Sequence, residues 1–166
     1  MNIEEITADI KKRDTDIKKR NNDPKWFKQL DELGKISPEK CNTIVEQMAL
    51  FSVEGDDRIV MCNVEKIDIE WKRLDIELIK ADPTWTESTY NYIAPNKNAY
   101  NPEKYFKSRN DLMTGKQEEP PSIGFFENQL GFYDGRHRFS NLRDCGQLYI
   151  PCIIDVDYLH LIGKYI

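Results

Sequence analysis

The chain has 166 residues, enough for one domain with its own buried core. Hydrophobic residues make up 39% and aromatics 11%, which excludes a flexible acidic coil, and a formal net charge of −5 removes the usual expectation of a general nucleic-acid binder. Four cysteines without a CxxC pair and only two histidines speak against a structural zinc site.

The amino terminus is charged within its first few residues, and the longest apolar stretch runs only from Leu148 to Ile154. A cytoplasmic protein with neither leader nor membrane span is therefore expected.

Residues 1–55 read as a helical extension or cover, and as the surface through which a protein partner would bind. Ile3, Ile6, Ile10 and Ile17 recur at helical spacing among charges, and Asn21-Asn22-Asp23 interrupts the pattern. Asp23-Pro24 fits an N-cap and first helical position, with Trp26, Phe27, Leu30 and Leu33 on one face and Gly34 closing the helix. Ser37-Pro38 opens another helix, carrying Ile44, Val45, Met48 and Leu50. Lys11, Lys12, Arg13, Lys18, Lys19 and Arg20 form basic clusters whose simplest reading is a solvated helix face.

Residues 56–166 read as a second unit, a mixed α/β sheet. After a turn at Gly55-Asp56-Asp57, residues 58–71 have strand character, with Ile67, Ile69 and Trp71 alternating against Asp68 and Glu70. Residues 72–81 fit a strand or a helix equally, and 84–101 are a long polar loop by composition. Pro102 to Met113 reads as a helix with Tyr105, Phe106 and Leu112. Strands over 122–126 and 130–133 flank a turn. A helix over 136–145 follows, capped by Gly146. An apolar strand over 150–154 and a closing helix over 157–165 complete the sheet.

The chemistry concentrates in Phe132-Tyr133-Asp134-Gly135-Arg136-His137-Arg138. Gly135 permits a backbone conformation that side chains disfavour, and the amides after it open a helix, a natural place for an anion. Arg136, His137 and Arg138 stack positive charge where the helix dipole is already positive, which a bound phosphate would offset. Asp134 either caps that helix or ligates Mg²⁺.

The segment DGRHRFSNLRDCGQLYIPCIID, 134–155, together with the proline-led strand Pro120-Pro121-Ser122-Ile123, resembles the signature of the ParB/sulfiredoxin superfamily. The resemblance spans about residues 102–160, and more weakly 60–75. It implies a ParB/sulfiredoxin-like core whose glycine turn holds the phosphates of ATP, ADP or CTP. Gly135, His137 and Arg138 match the glycine, histidine and arginine of the sulfiredoxin motif GCHR, but Arg136 stands where its cysteine would be. Reductase chemistry is therefore not expected. Arg136 also replaces the glutamate of the ParB motif GERR, and a following DNA-binding domain is not expected, which disfavours a partition protein.

The expectation that results is a nucleotide-dependent phosphotransferase or hydrolase. Arg136 and Arg138 would clamp phosphate oxygens, His137 would serve as acid–base group, and Asp134 would hold Mg²⁺, with Ser122 and Lys116 in support. Thr114-Gly115-Lys116 is not a Walker A loop, because Asn110 and Gln117 replace its glycine and hydroxyl residue. Tyr90, Tyr92, Tyr100 and Tyr105 would stack a base or pack, and Asp56-Asp57 and Glu118-Glu119 are paired acids of ordinary loop type. Two other readings stand beside it: a non-catalytic nucleotide-binding or protein-interaction module, and a ParB-like nuclease, for which the acidic balance is unfavourable.

Overall fold

The computed structural model describes Lys12 and residues 23–69, 102–116, 118–126 and 128–166. The expected N-terminal amphipathic helix, the ambiguous segment 72–81, the polar loop 84–101 and Tyr90, Tyr92 and Tyr100 lie outside the described residues.

The first two described helices start where local chemistry places them. In α1 (Pro24–Leu33), Asp23 accepts a hydrogen bond from the Lys25 amide and Pro24 takes a first-turn position where no amide is needed. The Gly34 amide closes it on the Leu30 carbonyl at 3.1 Å. In α2 (Pro38–Ala49), Ser37 caps the Lys40 amide at 3.2 Å.

Four strands form one mixed sheet in the order β1 (Asp57–Asn63), β4 (Tyr149–Asp155), β2 (Ser122–Phe126), β3 (Gln129–Asp134). β1 and β4 run antiparallel with Val60 opposite Cys152. β2 and β4 run parallel through Ser122 and Ile153, and β2 and β3 are antiparallel with Ile123 opposite Phe132. β4 is an inner strand, so Ile150, Cys152, Ile153 and Ile154 are all buried and its apolar run needs no alternation. The helix α3 (Pro102–Thr114) precedes β2, and α4 (Arg136–Asp144) follows β3 directly.

Two expectations are corrected. Residues 64–69 are helical, not a continuation of the strand. Asn63 ends β1 by giving its amide to the Tyr165 carbonyl, and its side chain accepts from the Lys66 amide at 3.0 Å, an N-cap contact. Val64 and Ile67, one helical turn apart, are then both buried, while Ile69 is exposed. The closing segment starts as a 3₁₀ turn (Val156–Tyr158), capped by Asp155 on the Asp157 amide at 2.8 Å and closed by the Leu159 amide on the Val156 carbonyl, and continues as a short α5 (Leu159–Ile162).

One hydrophobic cluster joins these elements. Ile36, Cys41, Ile44 and Met48 from the N-terminal helical region share it with Cys62, Ile67, Leu112, Phe139, Leu142, Ile154 and Tyr165. No described helix is long and apolar enough to cross a membrane.

Candidate functional site

β3 ends at Asp134, and the chain turns into α4 through Gly135, which takes a left-handed φ of 78°. A Cβ there would lie 2.7 Å from the Pro121 backbone and 3.1 Å from the Arg138 guanidinium. Glycine is needed for both conformation and space. Gly135 is the N-cap and brings no side chain to the first amides of α4, so Asp134 does not cap the helix, contrary to that sequence reading. The Phe139 amide closes the first turn on the Gly135 carbonyl at 2.9 Å.

The three basic residues part company. Arg136 is exposed at the helix opening. Arg138 is only 3% exposed and points inward. Its guanidinium donates to the Asp134 carboxylate one turn back, to the Glu119 carbonyl, and to the Pro120 carbonyl at 3.2 Å. It therefore ties the proline-led approach to β2 onto the turn. This answers part of the puzzle of basic residues at the wrong helix end: Arg138 is balanced internally and already occupied, so a phosphate would have to compete with Asp134 for it.

His137 is half-buried, and its pKa is lowered to about 4, chiefly by burial and then by the positive charges of Arg136 and Lys104, with Asp134 opposing. Its imidazole is neutral at physiological pH. Lys104, in the first turn of α3, is exposed. Arg136, Lys104 and the amino end of α4 thus make a positive corner around a neutral histidine, an arrangement that favours an anion and would raise the histidine pKa once the anion is bound.

The remaining expected residues are not all brought to this corner. Ser122 pairs with Asp134 across a register shift between β2 and β3, so the two are sheet neighbours. Lys116 is exposed beyond the end of α3, its amide bonded to the Asp111 carbonyl at 2.9 Å. Glu119 reaches the turn through its backbone, whereas Asp57 pairs with Asp155 at the other edge of β4. Among the described residues no group of three or more His, Cys, Asp or Glu side chains is placed to hold a metal. Asp134, largely exposed beyond its contact with Arg138, is the carboxylate the turn itself presents.

In a second set of residues only Tyr105 was foreseen, and it is buried. Behind the turn, Asn141 is buried and donates to the carbonyls of His137 at 2.9 Å and Tyr105 at 3.2 Å, while its side-chain oxygen accepts from Arg109 at 3.0 Å. Arg109 also donates to the Gly34 carbonyl and the Tyr105 hydroxyl, both at 3.0 Å. The Tyr105 hydroxyl in turn donates to Asp144, and burial with the Asp144 charge pushes its pKa up, so it stays protonated. Arg143 links Asp144 at 3.0 Å to Asp68 at 3.3 Å. This network fixes α4, which carries His137, against α3, which carries Lys104, and against the end of α1.

Compared with protein-family models, curated proteins and solved structures, the chain gives no match.

Proposed function

We propose that the protein binds a nucleotide or another phosphate ester, its phosphates resting on the amino end of α4 between Arg136 and Lys104. One observation carries the reading: an uncapped, left-handed Gly135 turn opens a helix beside two exposed cations and a histidine kept neutral chiefly by its burial and further by those cations. The likeness of 134–155 to the ParB/sulfiredoxin motif supports the same place and adds ATP, ADP or CTP as the expected ligands. In this reading Arg138 shapes the turn and Arg136 meets the ligand, a division of labour the motif alone does not reveal. A Mg²⁺ ion would be held by Asp134 and would supply further charge neutralisation to the phosphates. Phosphoryl transfer or hydrolysis at this corner would rest on positioning and charge, with His137 taking up a proton as its pKa rises.

The experiment is a thermal-shift panel of ATP, ADP, CTP and inorganic phosphate, with and without Mg²⁺. The reading requires that at least one raises the melting temperature, and that the Arg136→Ala, Lys104→Ala double variant loses most of that rise while keeping its ligand-free melting temperature. If no phosphate compound stabilises the wild-type protein, the reading fails. Arg138→Ala is the wrong probe, because losing its internal contacts destabilises the protein with or without ligand.

A further inference from the structure

The contact between α3 and α4 holds a polar side chain where an apolar one would pack without desolvation cost. Asn141 lies within α4 and is only 1% exposed. Burying a carboxamide costs free energy unless its hydrogen bonds are made, and here they are. Its nitrogen donates to the His137 carbonyl at 2.9 Å and to the Tyr105 carbonyl at 3.2 Å, and its oxygen accepts from Arg109 at 3.0 Å. Carbonyls only accept and a guanidinium only donates, so one orientation of the amide satisfies all three partners.

Neither carbonyl depends on Asn141 for a partner. Tyr105 lies inside α3 and His137 inside α4, where each carbonyl receives the main-chain amide one turn on. The side-chain bonds are additional, and their consequence is geometric. A single nitrogen keeps one carbonyl of each helix within 3.2 Å of itself. In the chain, Tyr105 immediately follows Lys104 and His137 immediately follows Arg136. The bridge therefore ties together the main chain beside each of the two exposed cations of the corner, one cation from each helix. Long, flexible cationic side chains converge on one anion only when their backbones are held at a suitable separation.

The neighbouring polar links run to other places. Arg109 reaches the Gly34 carbonyl at the end of α1, and Arg143 joins Asp144 and Asp68 at the far end of α4. Loss of those links loosens the fold without releasing the main chain beside Lys104 and Arg136.

We propose that Asn141 is the positioning residue of this corner: by bridging the Tyr105 and His137 carbonyls it sets the separation of Lys104 and Arg136, and with it the affinity for a phosphate group, an assignment that rests on the phosphate reading above. Without the bridge, α3 and α4 settle at another spacing and the two cations no longer close on one anion together. Alanine removes both the bridge and its volume, whereas leucine keeps a similar volume and removes the bridge alone.

The test titrates ATP and inorganic phosphate into wild type, Asn141→Ala, Asn141→Leu and Arg143→Met by calorimetry, each at a temperature where circular dichroism shows it folded. Both Asn141 variants are expected to weaken binding by about tenfold or more. Arg143→Met loses stability through the far end of the same helix and is expected to bind within about twofold of wild type. In the ligand-free proteins, nuclear magnetic resonance follows the imidazole of His137, whose pKa is lowered to about 4 by burial first and then by Arg136 and Lys104. A changed spacing raises that value in both Asn141 variants and leaves it in place in Arg143→Met. Unchanged affinity in the Asn141 variants, or an equal loss in Arg143→Met, overturns the proposal, and Asn141→Leu decides on its own if Asn141→Ala does not fold. If neither ligand binds the wild-type protein, the phosphate reading falls by itself, and an unmoved His137 titration in the Asn141 variants then removes the positioning role as well.

Discussion

Replacing Arg138 by methionine keeps most of the side chain's length and removes its five donors. The guanidinium is 3% exposed and serves Asp134, the Glu119 carbonyl and the Pro120 carbonyl. Hydrogen bonds from a charged donor contribute about 1.5–3 kcal/mol each, which for the two carbonyls sums to about 3–6 kcal/mol. The ion pair adds little, about 0–1 kcal/mol, because the Asp134 side chain is 74% exposed and its charge is screened by water. Apolar packing by methionine recovers part of this, leaving a loss of about 3 kcal/mol, a large share of the roughly 5–15 kcal/mol that holds a domain together. Asp134→Asn removes only the screened pair and is expected to cost about 1 kcal/mol or less. Arg138→Lys restores the charge but not the fork that reaches several acceptors at once, so it rescues only a minor part. Urea unfolding followed by circular dichroism measures all three at a common slope. If Arg138→Met stays within about 1 kcal/mol of wild type, or Asp134→Asn costs as much as Arg138→Met, the structural role assigned to Arg138 is wrong.

Gly135→Ala is expected to destabilise by about 2 kcal/mol or more, since its φ of 78° is unfavourable for alanine and the new Cβ meets the Pro121 backbone at 2.7 Å. Gly124→Ala displaces the ring of Tyr133, which is 53% exposed and able to move away, so the urea midpoint should fall much less. Tyr105→Phe strips a hydroxyl that serves Asp144 and Arg109 together and should cost about 2 kcal/mol by the same measurement, more than an ordinary surface tyrosine. His137 titrates near 4 in the fold against an ordinary value of 6.5. The unfolded chain therefore binds the extra proton between those values, and stability present above pH 6.5 is lost as the pH falls towards 4. The 2.5-unit difference (6.5 − 4) corresponds to about 3 kcal/mol, so His137→Gln should flatten the fall in stability between neutral and mildly acidic pH, and an unchanged slope would count against its burial.

Much of the secondary structure was legible because its signals are short-range. Asp23-Pro24 and Ser37-Pro38 place helix starts, Gly34 a helix stop, and Gly135 a turn, since each acts on amides or dihedral angles within a few residues. The apolar run of β4 announced an inner strand before its neighbours were known. The segment after Asn63 misled because Ile67 and Ile69 alternate as a strand would, while the asparagine cap that turns the chain into a helix is an ordinary-looking polar residue.

The candidate site divides along the same line. The amino acids Asp134 to Arg138 mark a glycine turn opening a positively charged helix, and that much belongs to the sequence. Which arginine faces solvent and which is consumed inside is settled by carbonyls at Glu119 and Pro120, 19 and 18 positions away. Asn141, which looks like a surface residue in a polar helix, is buried because Tyr105 and Arg109, 36 and 32 positions earlier, supply its partners. A polar side chain can be inside only where distant groups complete its hydrogen bonds, and composition or periodicity holds no record of them.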